Sequence, residues 1–130
     1  MLLDTSGLLC LYDRRERRQG DAVIHYRAAT RRATHEAVLT EFVALAQARG
    51  APRDGALALV DGLLDDPAIE IFWIDERLLR EAVSLLQART DKSYSLCDAV
   101  SFVLMRQERI IEALTTDHHF EQEGFVRLLR

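Results

Sequence analysis

Four acidic residues stand far apart in the chain, yet each lies beside the predicted end of a strand or start of a helix: Asp4, Glu41, Asp98 and Asp117. Asp98 is the clearest case, because the stretch SYSLCDAVSFVLM that contains it has no other charged residue. Carboxylates that converge raise one another's pKa unless a cation lies among them. If these side chains meet in space, a divalent metal ion is their natural counterion.

The available ligand types indicate which metal ion is expected. Carboxylate oxygens without sulfur or imidazole partners suit Mg²⁺ or Mn²⁺ rather than zinc. Cys10 and Cys97 are far apart and form no CxxC motif, so no zinc site is predicted from them. His118 and His119 are adjacent, and on a helix they would point about 100° apart. We therefore expect both histidines at the rim of a site, without a ligand role.

The hydrophobic pattern predicts strands alternating with amphipathic helices. The expected strands are 1–5, 33–36, 69–74, 110–114 and 125–129. The run IEIFWI is expected to be covered on both faces. The large aromatic residues expected in the core are Phe42, Trp73, Phe102 and Phe120. This order is typical of an α/β fold, here a three-layer sandwich with a mostly parallel central sheet, and the length of 130 residues fits a single domain over 1–130.

Parallel strands would bring the four acids together. Each crossover helix runs against its strands, so helix starts lie over the carboxyl ends of the strands, where open α/β sheets bind ligands. Asp4 is predicted to end the first strand and Asp117 to follow the fourth, while Glu41 and Asp98 are predicted to open helices. All four are therefore expected at one edge.

Three of the acids also have a purely structural interpretation. Ser95 and Asp98 form the S-x-x-D pattern of a capping box. Asp117 is a possible N-cap for the segment HFEQE, and Glu41 would interact favourably with a helix dipole. Asp4 has no long amphipathic helix to cap, and burying its charge among leucines is costly. Asp4 therefore favours the functional interpretation.

Four segments in order, LLDTSGLL, LTEFVAL, YSLCDAVSFVLM and ALTTDHHF, resemble the motifs of PIN-domain ribonucleases, and among them the VapC-type toxins of prokaryotic toxin–antitoxin pairs. The resemblance covers essentially the whole chain. It implies a metal-dependent endoribonuclease that uses Mg²⁺ or Mn²⁺, with the catalytic quartet at Asp4, Glu41, Asp98 and Asp117 and the metal held by Asp4, Asp98 and Asp117. Ser6 and Thr115 match accessory polar positions, and Glu121 or Glu123 stands near enough to replace the last acid.

The same resemblance implies partners: an RNA substrate, a homodimer, and a small antitoxin protein that lies across the active site. RNA contact requires positive charge, for which the candidates are Arg14, Arg15, Arg17, Arg18 and Arg31, with Arg32 beside them. A solvated helix face is the competing interpretation of these arginines.

Composition limits the function classes. A formal charge of −4 argues against a protein that coats nucleic acid by bulk charge, although of 17 basic residues only Lys92 is a lysine. No apolar run approaches the roughly 20 residues needed to span a bilayer, and the amino terminus has no basic segment typical of a secretory signal. We expect a cytoplasmic protein with reduced cysteines.

Other classes fit the sequence less well. A two-component receiver domain requires an acidic pair after its first strand and a late lysine, and both are missing. A haloacid dehalogenase phosphatase begins with DxD, whereas Ser6 occupies the last position here; an adhesion-type DxSxS site would require serine in place of Leu8. A PIN-like module that binds RNA or protein without cleavage remains the alternative.

Overall fold

The computed structural model of the chain describes residues 1–130 and contains five strands and seven helices. In chain order these are β1 (Leu2–Leu3), α1 (Thr5–Tyr12), α2 (Gln19–Ala28), β2 (Arg32–His35), α3 (Glu36–Ala48), α4 (Arg53–Asp65), β3 (Ile69–Phe72), α5 (Glu76–Ala88), α6 (Leu96–Gln107), β4 (Glu112–Leu114), α7 (His119–Gln122) and β5 (Val126–Arg127). No helix has both the length and the apolar content required to cross a membrane.

The five strands form one sheet in the order β3-β2-β1-β4-β5, and every pair is parallel. The α/β prediction is confirmed, and the sheet is wholly rather than mostly parallel. β1 lies at the centre, where the strand order reverses between β2 on one side and β4 on the other. This reversal opens the crevice in which α/β sheets bind ligands.

Helices cover both faces of the sheet, because successive side chains on a strand point in opposite directions. Leu3 and Leu114 pack on one face with Phe42 of α3, whereas Leu2 packs on the other face with Phe102 of α6. The predicted three-layer sandwich is confirmed. Phe42 and Phe102 are fully buried, as is Phe120.

Trp73 corrects the prediction for the third strand. This strand ends at Phe72 and lies at the edge of the sheet, and Trp73 beyond it is 63% exposed. An unbroken apolar run was interpreted as a strand covered on both faces, but the run continues into the loop before α5. The core assignment of Trp73 was therefore wrong.

Two element boundaries also differ from those predicted. The first strand covers Leu2–Leu3 instead of 1–5, because Asp4 is already the N-cap of α1 and Thr5 begins that helix. Helix α3 begins at Glu36, directly after β2, rather than near Leu39. Each of these helices begins directly beyond the carboxyl end of the strand before it.

Gly7 allows α1 to lie directly on β4. A Cβ built on Gly7 would stand 1.9 Å from the Leu114 carbonyl oxygen, closer than any side chain permits. Only glycine lets the first turn of α1 approach the strand this closely. The contact holds Asp4 and Ser6, which flank this turn, next to the residues that follow β4.

We expect Gly7→Ala to lower the free energy of unfolding by about 1–3 kcal/mol, the usual cost of overpacking, because α1 must move away from β4. Gly62→Ala in α4 is the matched control, since a Cβ there meets nothing within 4 Å. It should raise stability by about 0.5–1 kcal/mol through the better helix propensity of alanine. Urea unfolding followed by circular dichroism measures both changes, and equal effects of the two substitutions would contradict the packing argument.

Candidate active site

Asp4 lies at the carboxyl end of β1 and is 5% exposed. Its Oδ2 accepts hydrogen bonds from Thr115 Oγ1 at 2.7 Å and Ser6 Oγ at 3.2 Å, and these two hydroxyl oxygens are 3.0 Å apart. The backbone amides of Thr116 and Asp117 donate to the Ser6 and Thr115 hydroxyls respectively. The segment after β4 is thus tied to Asp4 through two hydroxyl groups, at the positions predicted to be accessory.

The pKa of Asp4 is raised to about 6, chiefly by burial. The hydrogen bonds from Thr115 and the Thr5 backbone oppose this rise, and the nearby carboxylates of Asp98 and Asp117 contribute to it. No arginine or lysine forms an ion pair with Asp4. The charge on this carboxylate is therefore poorly compensated by the protein itself.

Asp98 occupies the first turn of α6 and is buried. Its amide donates to Ser95 Oγ and its Oδ2 accepts from the Ser95 amide, both at 3.0 Å. The capping box predicted from the sequence is present. The capping box is compatible with the functional interpretation, because it fixes the Asp98 side chain at the carboxyl-terminal end of the sheet, where Asp4 also lies. The carboxylates of Asp4 and Asp98 interact electrostatically there.

Asp117 follows β4 by three residues and faces the same crevice, since it too raises the pKa of Asp4. The N-cap of α7 is His118, one residue later than predicted. Asp117 nevertheless stabilises this turn, because its Oδ1 accepts from the His119 amide at 2.9 Å. Asp4, Asp98 and Asp117, from three separate regions of the chain, are thus neighbours.

Glu41 lies in the second turn of α3, not at its start as predicted. It reaches the same region through Cys97: burial raises the pKa of the Cys97 thiol, and the charges of Glu41, Asp4 and Asp98 add to this effect. The acid that does begin α3 is Glu36, whose carboxylate accepts a hydrogen bond from the Ile74 amide and so holds the loop after β3. Glu41 is the acid of α3 that lines a pocket together with Cys97.

Glu121 and Glu123, the possible substitutes for the last acid, are engaged elsewhere. Glu123 pairs with Arg89 and Arg106 at 2.7 and 2.5 Å. Glu121 pairs with two arginines of the carboxyl-terminal segment, Arg127 and Arg130. Among the three candidates, Asp117 is the one whose charge acts on Asp4 and which shares the neighbour His119 with Asp98.

His119, expected from the sequence at the rim of the site, lies beside two of the acids. Its Nδ1 lies 3.2 Å from Asp98 Oδ2 and 3.3 Å from Asp117 Oδ2, and its ring packs edge-on against Tyr94 with centroids 5.2 Å apart. The signal in the sequence was the D-x-H spacing directly after a strand, where a single tight turn places both side chains on one side.

The predicted RNA-binding arginines do not border this site. Arg14, Arg15, Arg17 and Arg18 follow the far end of α1, an eight-residue helix about 12 Å long whose start is Asp4. Arg15 pairs with Asp13, and Arg18 with Glu16.

Arg31 precedes β2 and so lies at the amino-terminal end of the strands, opposite the acidic residues. Glu70 and Glu108 form ion pairs with its guanidinium there. Neighbouring Arg32 donates to backbone carbonyls of α2. The two arginines therefore stabilise the fold at that end.

The donor set fits a hard divalent cation. Asp4 is a buried carboxylate whose partners are hydroxyls and whose nearest ionised neighbours are other carboxylates. A cation among Asp4, Asp98 and Asp117 would relieve both the burial and the repulsion. The oxygens suit Mg²⁺ or Mn²⁺, whereas the His119 nitrogen adds a donor that magnesium rarely uses.

Removing the charge of Asp4 should stabilise the metal-free protein. Because its pKa is raised in the folded state, the associated stability is present below the unfolded value of 3.8 and is lost as the pH rises through about 6. In chelator at pH 7.5 we expect urea unfolding to give Asp4→Asn a free energy of unfolding up to about 3 kcal/mol higher than that of the parent. This difference should shrink towards pH 4. Exposed Asp61→Asn is the control. A destabilised Asp4→Asn protein at pH 7.5 would contradict this account.

Comparison with known proteins identifies the family. The model of the PIN domain matches residues 1–125. Among solved structures, the chain is similar to Mycobacterium tuberculosis VapC20, described as a toxin that cleaves the sarcin–ricin loop, with 25% identity over 99% of this chain and 98% of that one and a TM-score of 0.89. A search of curated proteins found no match. The resemblance inferred from the four sequence motifs is confirmed, and this chain belongs to the PIN-domain family.

Proposed function

We propose that this protein is a metal-dependent endoribonuclease that acts as the toxin of a toxin–antitoxin pair. The observation that carries the proposal is the burial of Asp4 beside Asp98 and Asp117 without a cationic partner of its own. Membership of the PIN family and the similarity to an RNA-cleaving toxin support the same conclusion. A non-catalytic PIN-like module would not need to maintain so costly an arrangement.

In this proposal Asp4, Asp98 and Asp117 hold Mg²⁺ or Mn²⁺, and Glu41 completes the site. When bound, such an ion polarises the phosphoryl oxygens and lowers the pKa of a coordinated water. Ser6 and Thr115 orient the Asp4 carboxylate through their hydroxyl groups. Ser95 fixes Asp98 through the capping box, so the ligands are already positioned before an ion or RNA arrives.

Glu41 is assigned the proton transfer. It lies across Cys97 from Asp4 and Asp98 and forms no ion pair, so its carboxylate is available to accept a proton from the attacking water. The water oxygen bonds to phosphorus, and the bond from phosphorus to the 3′ oxygen breaks. The products are a 5′-phosphate and a 3′-hydroxyl, whose leaving oxygen takes up a proton from solvent.

The proposed partners follow from the same relationship. The substrate class is structured RNA, for which a fragment containing the sarcin–ricin loop is the first candidate to test because the similar toxin cleaves it. A homodimer and an antitoxin protein that covers the acidic crevice are part of the proposal.

We expect Asp4→Asn and Asp98→Asn each to lower the cleavage rate at least about 100-fold while the circular dichroism spectrum is unchanged, because each keeps the shape of the site but loses a charge that holds the ion. Asp75→Asn is the matched control, because Asp75 caps α5, asparagine keeps the capping oxygen, and the Asp75 charge does not contribute to the raised pKa of Asp4. Defined rRNA and tRNA fragments with Mn²⁺, followed by mapping of the new ends, measure the rate and the end chemistry.

Three results of this assay would count against the proposal. Cleavage that continues in excess chelator would exclude dependence on a divalent ion. Equal cleavage by Asp98→Asn and the parent protein would mean that the acidic cluster is not the catalytic site. Absence of cleavage of every RNA, with tight RNA binding retained, would favour the non-catalytic alternative.

A further inference from the structure

Asp117, His118 and His119 bring one ligand atom each to within 4.8 Å of one another. The expectation that adjacent histidines diverge by about 100° assumed that both lie inside a helix. In the structure His118 is the N-cap of α7 and His119 its first residue, and their ring centroids are 4.6 Å apart. The two imidazoles therefore converge on the side of Asp117.

The spacing of the donor atoms matches a small coordination sphere. Metal bonds to imidazole nitrogen and carboxylate oxygen are about 2.0–2.1 Å long in zinc sites, so neighbouring donors around a tetrahedral ion are about 3.3 Å apart. His119 Nδ1 is 3.2 Å from Asp98 Oδ2 and 3.3 Å from Asp117 Oδ2, and His118 Nδ1 is 3.7 Å from Asp117 Oδ1. Asp117, His118 and His119 thus bring three donor atoms close to one another, and Asp98 Oδ2 stands beside the His119 nitrogen.

The hydrogen bonding of His119 supports a positive occupant. Its Nε2 lies 3.3 Å from Ser93 Oγ, a hydroxyl oxygen that can accept an Nε2 proton and leave Nδ1 free to bind a metal ion. In that tautomer the Nδ1 lone pair faces Asp98 Oδ2 at 3.2 Å and Asp117 Oδ2 at 3.3 Å, where a metal ion can take the place that a proton on Nδ1 would otherwise occupy. Histidines that bind metals commonly donate their second ring nitrogen to a neighbouring acceptor in this way.

We propose that Asp117, His118 and His119 form a binding site for a divalent transition metal ion of the zinc class, chemically distinct from the site for Mg²⁺ or Mn²⁺ at Asp4. Imidazole nitrogens favour zinc, cobalt and nickel over magnesium. Occupation engages Asp117, so it removes one ligand from the hard-ion site. A zinc-class ion is therefore an inhibitor of the RNA cleavage; this effect, unlike the binding, rests on the proposed function.

Cys97 is the nearby side chain that could bind a zinc-class ion instead of the two histidines. Burial raises the pKa of its thiol, so Cys97 stays protonated at neutral pH and is a poor metal ligand. Cobalt distinguishes the two cases, because a bound thiolate gives a sulfur-to-metal charge-transfer band in the near ultraviolet and nitrogen or oxygen ligands do not.

The binding test is a Co²⁺ titration of the untagged protein at pH 7.5, followed by visible absorption. We expect one equivalent to bind with the intense bands of a low-coordinate ion and without a sulfur band. His119→Ala and His118→Ala should each weaken binding at least about 10-fold, and Ser93→Ala roughly 10- to 100-fold. His118 is exposed, so its substitution tests the site without a risk to folding. His25→Ala on α2 is the matched control and should bind Co²⁺ like the parent.

Equal Co²⁺ affinity in the parent and His118→Ala proteins, a sulfur band, or only the weak absorption of a hydrated ion would overturn the site. The inhibition test adds Zn²⁺ to the Mn²⁺-dependent cleavage: the parent and His25→Ala should lose activity at zinc concentrations at least about 10-fold lower than His118→Ala. Inhibition at the same zinc concentration in all three would overturn the inhibitory role. If no Mn²⁺-dependent cleavage exists at all, the proposed function fails while the Co²⁺ result still decides the binding site.

Discussion

A buried carboxylate is stable only when hydrogen bonds or opposite charge replace the water it has lost. Asp4 has two hydroxyl donors and no cation of its own, and two further carboxylates lie close to it. The fold creates this situation because the carboxyl end of the central strand and the amino ends of the covering helices meet at one point. Stability alone would favour an uncharged residue there, so the arrangement is explained by what the cluster can bind.

The contacts that hold the cluster are also contacts that hold the fold. Ser95 and Asp98 cap α6, the Ser6 and Thr115 hydroxyls join α1 to the segment after β4, and Gly7 lets these two elements touch. Such coupling keeps the carboxylates close together in the absence of metal. It also explains why the local interpretations of these residues, as caps and packing residues, were correct and yet incomplete.

Much of this arrangement was predictable from the sequence, because the parallel sheet follows from alternating apolar strands and helices and the topology then brings Asp4, Asp98 and Asp117 to one edge. The errors arose where local pattern does not define a boundary. Glu36 rather than Glu41 begins α3, since the helix forms as soon as β2 ends. Trp73 continues an apolar run but lies beyond an edge strand.

The contacts of His119 with Asp98 and Asp117 could not be predicted, for a different reason. Its position depends on a tight turn whose backbone cannot be derived from adjacent residue types. Long-range placement was therefore easier to predict than the geometry of two neighbouring side chains. The ion pairs of the arginines could not be predicted from the sequence either, because Arg31 binds partners more than thirty residues away in the chain.

The most direct test of the central claim is a crystal structure of the wild-type protein with Mn²⁺, using anomalous scattering to locate the ion. The account predicts an anomalous peak at the carboxyl end of β1, within bonding distance of Asp4 and Asp98 oxygens. Asp4, Asp98 and Asp117 found apart from one another, or together but neutralised by arginine with no ion present, would contradict it.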